Sequence, residues 1–176
     1  MSERVDQMTA TTTATRSELF SFPNPVNEVS ARLVAGFVLL MAIATIAFDL
    51  RWLTIVMAYG FVARVATGPT LSPLGQLVTR VITPRLPFAE KPTAGPPKRF
   101  AQAVGAVFTL TVVLLTYGFD QWGAAKILLG VLCVFAFLES VLAICMGCIV
   151  FAQLMKRGII PPEVCERCNN IWLDKP

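Results

Sequence analysis

The sequence predicts an all-α integral membrane protein with four transmembrane helices and with both termini in the cytoplasm. Its composition is the first reason: 55% of the 176 residues are hydrophobic and 15% are charged, whereas soluble domains usually have about 25% charged residues. The mean hydropathy of +0.66 agrees with this assignment. The other two reasons are a series of long apolar runs and an uneven distribution of lysine and arginine along the chain.

The apolar runs define the predicted order of elements. Residues 1–20 are polar and rich in threonine, so we expect a disordered N-terminus before a membrane domain of residues 21–156. A helix needs about 20 apolar residues to cross a hydrocarbon core of about 30 Å. The first two predicted helices are separated by a very short turn, so they should form an antiparallel hairpin. The four predicted transmembrane helices comprise residues 30–48, 52–67, 100–119 and 126–150.

The last apolar run is longer than one perpendicular crossing needs. It extends from Ile127 to Met155 and is interrupted only by Glu139. At about 1.5 Å per residue it would measure roughly 40 Å or more. Because the run contains no turn signal, we expect one continuous helix that tilts or extends past the headgroups, not two helices.

The segment of residues 68–99 is a predicted cytoplasmic loop. Its seven prolines exclude a long helix, although residues 74–82 can form one or two amphipathic turns at the membrane surface. Thirteen of the fifteen lysine and arginine residues lie in or near this loop, the N-terminal segment and the tail of residues 157–176. The two exceptions are Arg51 and Lys126. The positive-inside rule therefore predicts that the loop and both termini are cytoplasmic.

The absence of histidine removes several classes of chemistry. It excludes catalysis by Ser-His-Asp or Cys-His groups and zinc sites with histidine ligands. Any general acid or base must be a carboxylate, a thiol or a lysine. The net charge of +4 is explained by cytoplasmic loops that face anionic lipid. No basic stripe with interleaved aromatic residues indicates nucleic-acid binding.

Four of the five cysteines form two C-x-x-C pairs, CMGC at Cys145 and Cys148 and CERC at Cys165 and Cys168. Sixteen residues separate the two pairs, which is within the range of zinc sites with four thiolate ligands. The CERC pair lies in the polar tail, where a tight zinc-binding turn is easy to form. The remaining cysteine, Cys133, is predicted to be a packing residue.

Thiol redox chemistry is the alternative to zinc for the CMGC pair. Two cysteines three residues apart on a helix face each other, so that one thiolate can attack a disulfide and the other can resolve it. Near the cytoplasmic end of the fourth predicted helix, such a pair could exchange electrons or sulfur with a soluble partner. Packing of two small apolar side chains is the third interpretation, and the sequence leaves open whether the protein is an enzyme.

Arg64 and Glu139 are charged residues inside predicted transmembrane helices. Such residues are costly in a bilayer and are functional candidates by default. We predict that they pair with each other as a polar contact between helices. These two residues are also the only support in the sequence for a role in proton movement or small-molecule transport.

Several segments together resemble the actinobacterial membrane family known as DUF4395, a domain of unknown function. The segments, spread from Phe22 to Phe151, are FPNPVNEVSARL, GPTLSPLGQLVTRVITPRL, GPPKRFAQAVGAVFTL and LESVLAICMGCIVF. The family motif corresponds to Pro69, Pro73, Pro84, Arg99, Phe100, Cys145, Gly147 and Cys148. The resemblance implies a multi-pass protein of the bacterial inner membrane with a cysteine pair near its last helix. It also implies thioredoxin-like or rhodanese-type sulfurtransferase proteins as partners.

Two functions follow as expectations. The first is thiol-redox or sulfur handling by Cys145 and Cys148 with a soluble thioredoxin-like or sulfurtransferase partner, without a cofactor. The second is a non-enzymatic membrane anchor or scaffold whose four C-x-x-C cysteines bind structural zinc.

Overall fold

The computed structural model describes residues 24–87, 92–161 and 164. The predictions for residues 1–20 and for the CERC pair lie outside these residues. The described chain is mainly helical, as predicted, and contains one short antiparallel strand pair. The elements are β1 (Val26–Asn27), α1 (Glu28–Ala47), α2 (Trp52–Thr67), α3 (Pro73–Gln76), β2 (Pro92–Thr93), α4 (Gly95–Val113), α5 (Trp122–Leu142) and α6 (Met146–Lys156). Leu77–Ile82 continues α3 as a π-helix, Thr83–Arg85 is a 3₁₀ turn, and Leu114–Gly118 extends α4 as a π-helix.

Three of these helices are long and apolar enough to cross a membrane, namely Glu28–Ala47, Gly95–Gly118 and Trp122–Leu142. The helix Trp52–Thr67, at 16 residues, and the helix Met146–Lys156, at 11 residues, are apolar but shorter. The described part of the chain therefore has the helices of a membrane protein, with three candidate spans.

The helices α1 and α2 follow each other through a tight turn, as the sequence predicts. Asn27 caps α1, because its side-chain oxygen accepts a hydrogen bond from the backbone N–H of Val29 at 3.0 Å. The chain reverses at Asp49, whose φ of 52° is left-handed. In the bundle, α1 packs mainly against α5, and α2 packs mainly against α4.

The helix α4 begins at Gly95, five residues before the predicted start at residue 100. The prolines at positions 96 and 97 do not prevent this, since the first turn of a helix tolerates residues without an N–H donor. The Asn24 side chain accepts a hydrogen bond from the N–H of Gly95 at 3.2 Å. This earlier start places Lys98 on a helix and not in a loop.

The last apolar run is not one continuous helix, and that prediction is wrong. The helix α5 ends at Leu142, Ala143 has a left-handed backbone with φ 57° and ψ 23°, and α6 begins at Met146. Arg32 stabilises the end of α5 by donating hydrogen bonds from Nη2 to the carbonyl oxygens of Ser140 and Val141, each at 3.2 Å. A distant arginine therefore supports this turn, and residues 143–145 contain no glycine or proline from which the turn could be predicted.

Candidate functional site

The CMGC cysteines lie at the start of α6, immediately after the end of α5. Cys145 is the last residue before the helix and has an extended backbone, and Cys148 is in the first turn. The prediction of two cysteines on one face of a long helix is therefore wrong. The two side chains are close enough for each thiol to act on the other, and both thiols are free. This places a C-x-x-C pair at a helix N-terminus, which is the position at which reactive cysteines commonly occur.

Gly147 allows α6 to lie directly on α4. A Cβ atom at this position would lie 2.5 Å from the Cβ and 2.6 Å from the Cα of Ala101. The aromatic rings of Phe100 and Phe151 extend this contact, with their centroids 5.7 Å apart. The close approach brings the cysteines next to the first turns of α4.

An ion pair lies beside the two thiols. The Nζ atom of Lys98 is 2.7 Å from Oε1 of Glu139, and the two side chains are 11% and 18% exposed. Lys98 comes from α4 and Glu139 from the last turn of α5, so the pair joins the helices on either side of the cysteines. The charges of both residues act on both thiols.

Arg64 lies in the same region but does not pair directly with Glu139, contrary to the prediction. Its Nε donates to Oε1 of Gln102 at 2.9 Å, and its Nη1 donates to Oγ of Ser72 at 3.3 Å. Its guanidinium lies 4.5 Å from the centroid of the Phe61 ring. Arg64 is only 5% exposed, and within the described residues its Nη2 atom has no hydrogen-bond partner.

Two glycines make room for the arginine and the ring beneath it. A Cβ atom on Gly60 would lie 3.2 Å from Nη1 of Arg64, and one on Gly105 would lie 2.2 Å from Cε1 of Phe61. The Phe61 ring therefore packs against the bare backbone of α4. This contact fixes the arginine at the wall of the bundle interior.

A cavity of about 330 Å³ extends from Arg64 to Cys145 inside the bundle. Its polar wall includes Arg64, Gln102, Glu139 and Cys145, and the rest is largely apolar. A second cavity of about 210 Å³ borders Arg64, Gln102 and Lys98 from the side of the loop. Arg64 and Gln102 therefore line both cavities.

The charges around the cavities do not balance without a further anion. Among the described residues that line them, Arg64 and Lys98 are cations and only Glu139 is an anion. Cys145, which lies between α5 and α6, can supply the second negative charge as a thiolate. The neighbouring Cys148 thiol lowers the pKa of the Cys145 thiol, and the Lys98 ammonium acts in the same direction, whereas burial and the Glu139 carboxylate oppose it.

The remaining cysteines and the predicted zinc site are placed only in part. Cys133 is half-buried and packs against the hydrophobic core. Within residues 24–87, 92–161 and 164, no group of three or more histidine, cysteine or acidic side chains could hold a metal ion. Cys165 and Cys168 lie outside these residues, so zinc binding by four thiolates stays a prediction.

Apolar helices long enough to cross a bilayer, together with a buried dithiol beside an ion pair, define a helical membrane protein with a cysteine site. The chain belongs to the family described as "Domain of unknown function (DUF4395)", whose model matches residues 26–156. This confirms the resemblance found in the sequence. No curated protein and no solved structure matches the chain.

Sequence reasoning identified Cys145, Cys148, Glu139 and Arg64 but missed Lys98 and Gln102. Both missed residues lie in the first turns of α4. The sequence assigned Lys98 to the predicted loop of residues 68–99, whereas Gln102 lies within the predicted helix of residues 100–119. The lysine is two residues before Phe100 in the segment GPPKRFAQ. The glycine followed by two prolines was the available signal, because proline is common in the first turn of a helix and would have indicated that the helix begins there.

Proposed function

We propose that this protein is an integral membrane thiol-disulfide exchange protein that reacts through Cys145 and Cys148 with a soluble thioredoxin-like or sulfurtransferase partner. The observation that carries the proposal is the position of the free cysteine pair at the N-terminus of α6, near the Lys98 ammonium. A helix N-terminus and a nearby cation both favour a thiolate. Cys145 is accordingly the nucleophile and Cys148 the resolving thiol.

The exchange proceeds in two steps that conserve atoms and electrons. The Cys145 thiolate attacks one sulfur of a partner disulfide, an S–S bond forms between the proteins, and the other partner sulfur leaves as a thiolate. Cys148 gives its proton to the partner thiolate released in the first step and then attacks Cys145, which forms the Cys145–Cys148 disulfide. The second partner sulfur leaves as a thiolate and takes up a proton from water, so that the partner is released as a dithiol. The steps are reversible, and a partner that carries a persulfide would transfer its outer sulfur to the same thiolate and leave as a thiolate.

The proposed topology has four transmembrane helices and cytoplasmic termini in a bacterial inner membrane. The helix α2 is short, but it packs against the long helix α4, and its buried Arg64 is hydrogen-bonded to Gln102 of that helix. Neighbouring helices can accommodate a short span of this kind. The cysteine pair then lies at the cytoplasmic end of the bundle, where a soluble partner can reach it.

The test is capture of the partner by single-cysteine variants. We expect Cys148→Ser to accumulate a mixed disulfide between Cys145 and a thioredoxin-like or sulfurtransferase protein, because the resolving thiol is gone. Cys145→Ser should accumulate less, and Cys133→Ser, which leaves the pair intact, should accumulate none. Non-reducing gels and mass spectrometry of the adduct make the measurement.

The zinc scaffold predicts a different set of results. Purified protein would contain zinc, and replacement of Cys145, Cys148, Cys165 or Cys168 would release it to the same extent. Metal analysis that shows this pattern, together with the absence of any mixed disulfide, would exclude the exchange function.

A further inference from the structure

The cavity next to Cys145 is suited to a flat, lipid-soluble molecule. It measures about 330 Å³, and the phenylalanine side chains at positions 61, 108 and 135 line it together with aliphatic residues. It lies among helices that are long and apolar enough to cross a membrane. Aromatic side chains favour offset or edge contacts with a planar ring. A ligand dissolved in the bilayer is therefore better matched to this cavity than a charged metabolite.

Cys145 forms part of the wall of this cavity. Its side chain lines the cavity wall, yet the residue is only 8% exposed. Cys148 is more exposed than Cys145. A small oxidant inside the bundle could therefore contact the Cys145 sulfur directly.

The polar wall of the cavity matches a neutral acceptor of hydrogen bonds. The Arg64 Nη2 atom has no hydrogen-bond partner among the described residues, and an enclosed donor of this kind is costly when it is left unpaired. A carbonyl oxygen placed beside Arg64 would satisfy it. An anionic ligand would instead compete with the Cys145 thiolate for the positive charge of Arg64 and Lys98.

We propose that this cavity binds the ring of a membrane quinone, which accepts electrons from the Cys145–Cys148 dithiol. The proposal rests on the proposed thiol function and adds the electron acceptor to it. One quinone carbonyl accepts a hydrogen bond from Arg64, and the ring packs against the phenylalanine wall beside Cys145. The positive charge of Arg64, which lines this cavity, stabilises the anion that forms on the ring during reduction.

The reaction is balanced between the dithiol and the quinone. Two S–H bonds break and one S–S bond forms between Cys145 and Cys148, which releases two electrons and two protons. The quinone takes up both electrons and both protons, and its two carbonyl groups become hydroxyls. A soluble partner dithiol then reduces the Cys145–Cys148 disulfide and is itself oxidised.

The test uses reduced full-length protein in lipid nanodiscs that contain no quinone. Decylubiquinone is the probe, because its fully substituted ring cannot form an adduct with a thiol. We expect one quinone to be reduced for each Cys145–Cys148 pair oxidised, followed by ultraviolet absorbance of the quinone and by thiol labelling. The Cys145→Ser and Cys148→Ser variants should reduce none.

Two variants locate the reaction in the cavity. Arg64→Gln should slow quinone reduction about tenfold or more, because it removes a charged hydrogen-bond donor. Ala136→Leu should slow it by filling the cavity that Ala136 lines. Arg51→Gln is the matched control, since Arg51 pairs with Asp120 at 3.5 Å far from the cysteines, and its rate should equal that of the wild type.

Binding is measured separately from electron transfer. In the Cys145→Ser/Cys148→Ser protein, decylubiquinone should raise the unfolding temperature, and Ala136→Leu added to this protein should abolish the shift. Wild-type rates in both Arg64→Gln and Ala136→Leu would overturn the proposal, because the quinone would then react elsewhere.

A soluble disulfide separates the two proposals. If oxidised thioredoxin converts the wild-type dithiol to the disulfide and decylubiquinone does not, the quinone site is wrong and the exchange function stands. If neither oxidant forms the Cys145–Cys148 disulfide, both proposals are wrong.

Discussion

Glu139 is the carboxylate that interacts with the charged groups near the cysteines. It contacts Lys98 at 2.7 Å, and its charge also acts on Arg64 and on both thiols. Loss of this carboxylate would leave two buried cations without an acidic neighbour among the cavity-lining residues. The stability of the site and the protonation state of Cys145 therefore depend on the same side chain.

A double-mutant cycle tests this dependence. Lys98→Met and Glu139→Gln should each lower the free energy of unfolding by about 3 kcal/mol, because each leaves an uncompensated buried charge. The double variant should be more stable than the sum of these losses predicts. Unfolding in mixed detergent micelles makes the measurement, and additive effects would show that the ion pair contributes nothing.

The matching cycle for Arg64 and Glu139 provides the comparison. These residues interact only through their charges at a distance, so their coupling should be smaller than that of Lys98 and Glu139. An equal or larger coupling would mean that the arginine, and not the lysine, is the partner of the carboxylate.

The sequence could identify costly charges in apolar helices but not their partners. Arg64 and Glu139 are conspicuous because each interrupts an apolar run. Lys98 is not, because the two prolines before it suggest a loop. Which residue pairs with Glu139 depends on where α4 begins and on how α5 packs against it. Neither can be predicted from the residues next to Glu139 in the sequence.

At the scale of elements, the position of the cysteines depends on the contact between α6 and α4. Gly147 lies against the backbone of Ala101, so α6 can approach only because this residue has no side chain. The start of α6 holds both cysteines, and a shift of the helix would move them away from Lys98 and Glu139.

Gly147→Ala should therefore destabilise the protein by about 1 to 3 kcal/mol, as overpacking usually does, and should change the rate of thiol labelling at Cys148. Gly130→Ala is the matched control, because a Cβ atom at Gly130 meets nothing within 4 Å and alanine is the better helix former. Thermal unfolding and alkylation rates make the two measurements. An unchanged Gly147→Ala protein would show that α6 is free to move.

The elements were predictable to different degrees for physical reasons. Continuous hydrophobicity gave α1 and α2 nearly to the residue. The same rule failed between Leu142 and Met146, where the chain turns without a change in polarity. A left-handed alanine at position 143 is not favoured locally, and the Arg32 side chain that supports the turn comes from α1.

The whole molecule has two distinct polar ends. At one end, Asp49 accepts a hydrogen bond from Nε1 of Trp122 at 2.7 Å and contacts Nζ of Lys126 at 2.5 Å, and Arg51 contacts Asp120. At the other end lie Arg64, Lys98, Glu139 and the cysteine pair. The distribution of basic residues favours the topology proposed above, in which the first end would lie outside the cell and the cysteine end in the cytoplasm.

Reporter fusions test this orientation. A fusion after residue 90 should report the cytoplasm and one after residue 122 the opposite side, since one transmembrane helix separates the two positions. Alkaline phosphatase and a fluorescent protein give opposite signals in the two compartments. The same compartment for both fusions would exclude the four-helix topology.

The buried arginine also has a consequence for how the chain is made. Its Nε atom is satisfied by Gln102, which lies 38 residues further along the sequence and is synthesised later. Until α4 arrives, a charged side chain in the bilayer costs several kcal/mol, so α2 is a poor span on its own. Insertion of the second helix should therefore be completed only after the third has left the ribosome. Until then, we expect the amphipathic turns between α2 and α4 to hold the nascent chain at the membrane surface.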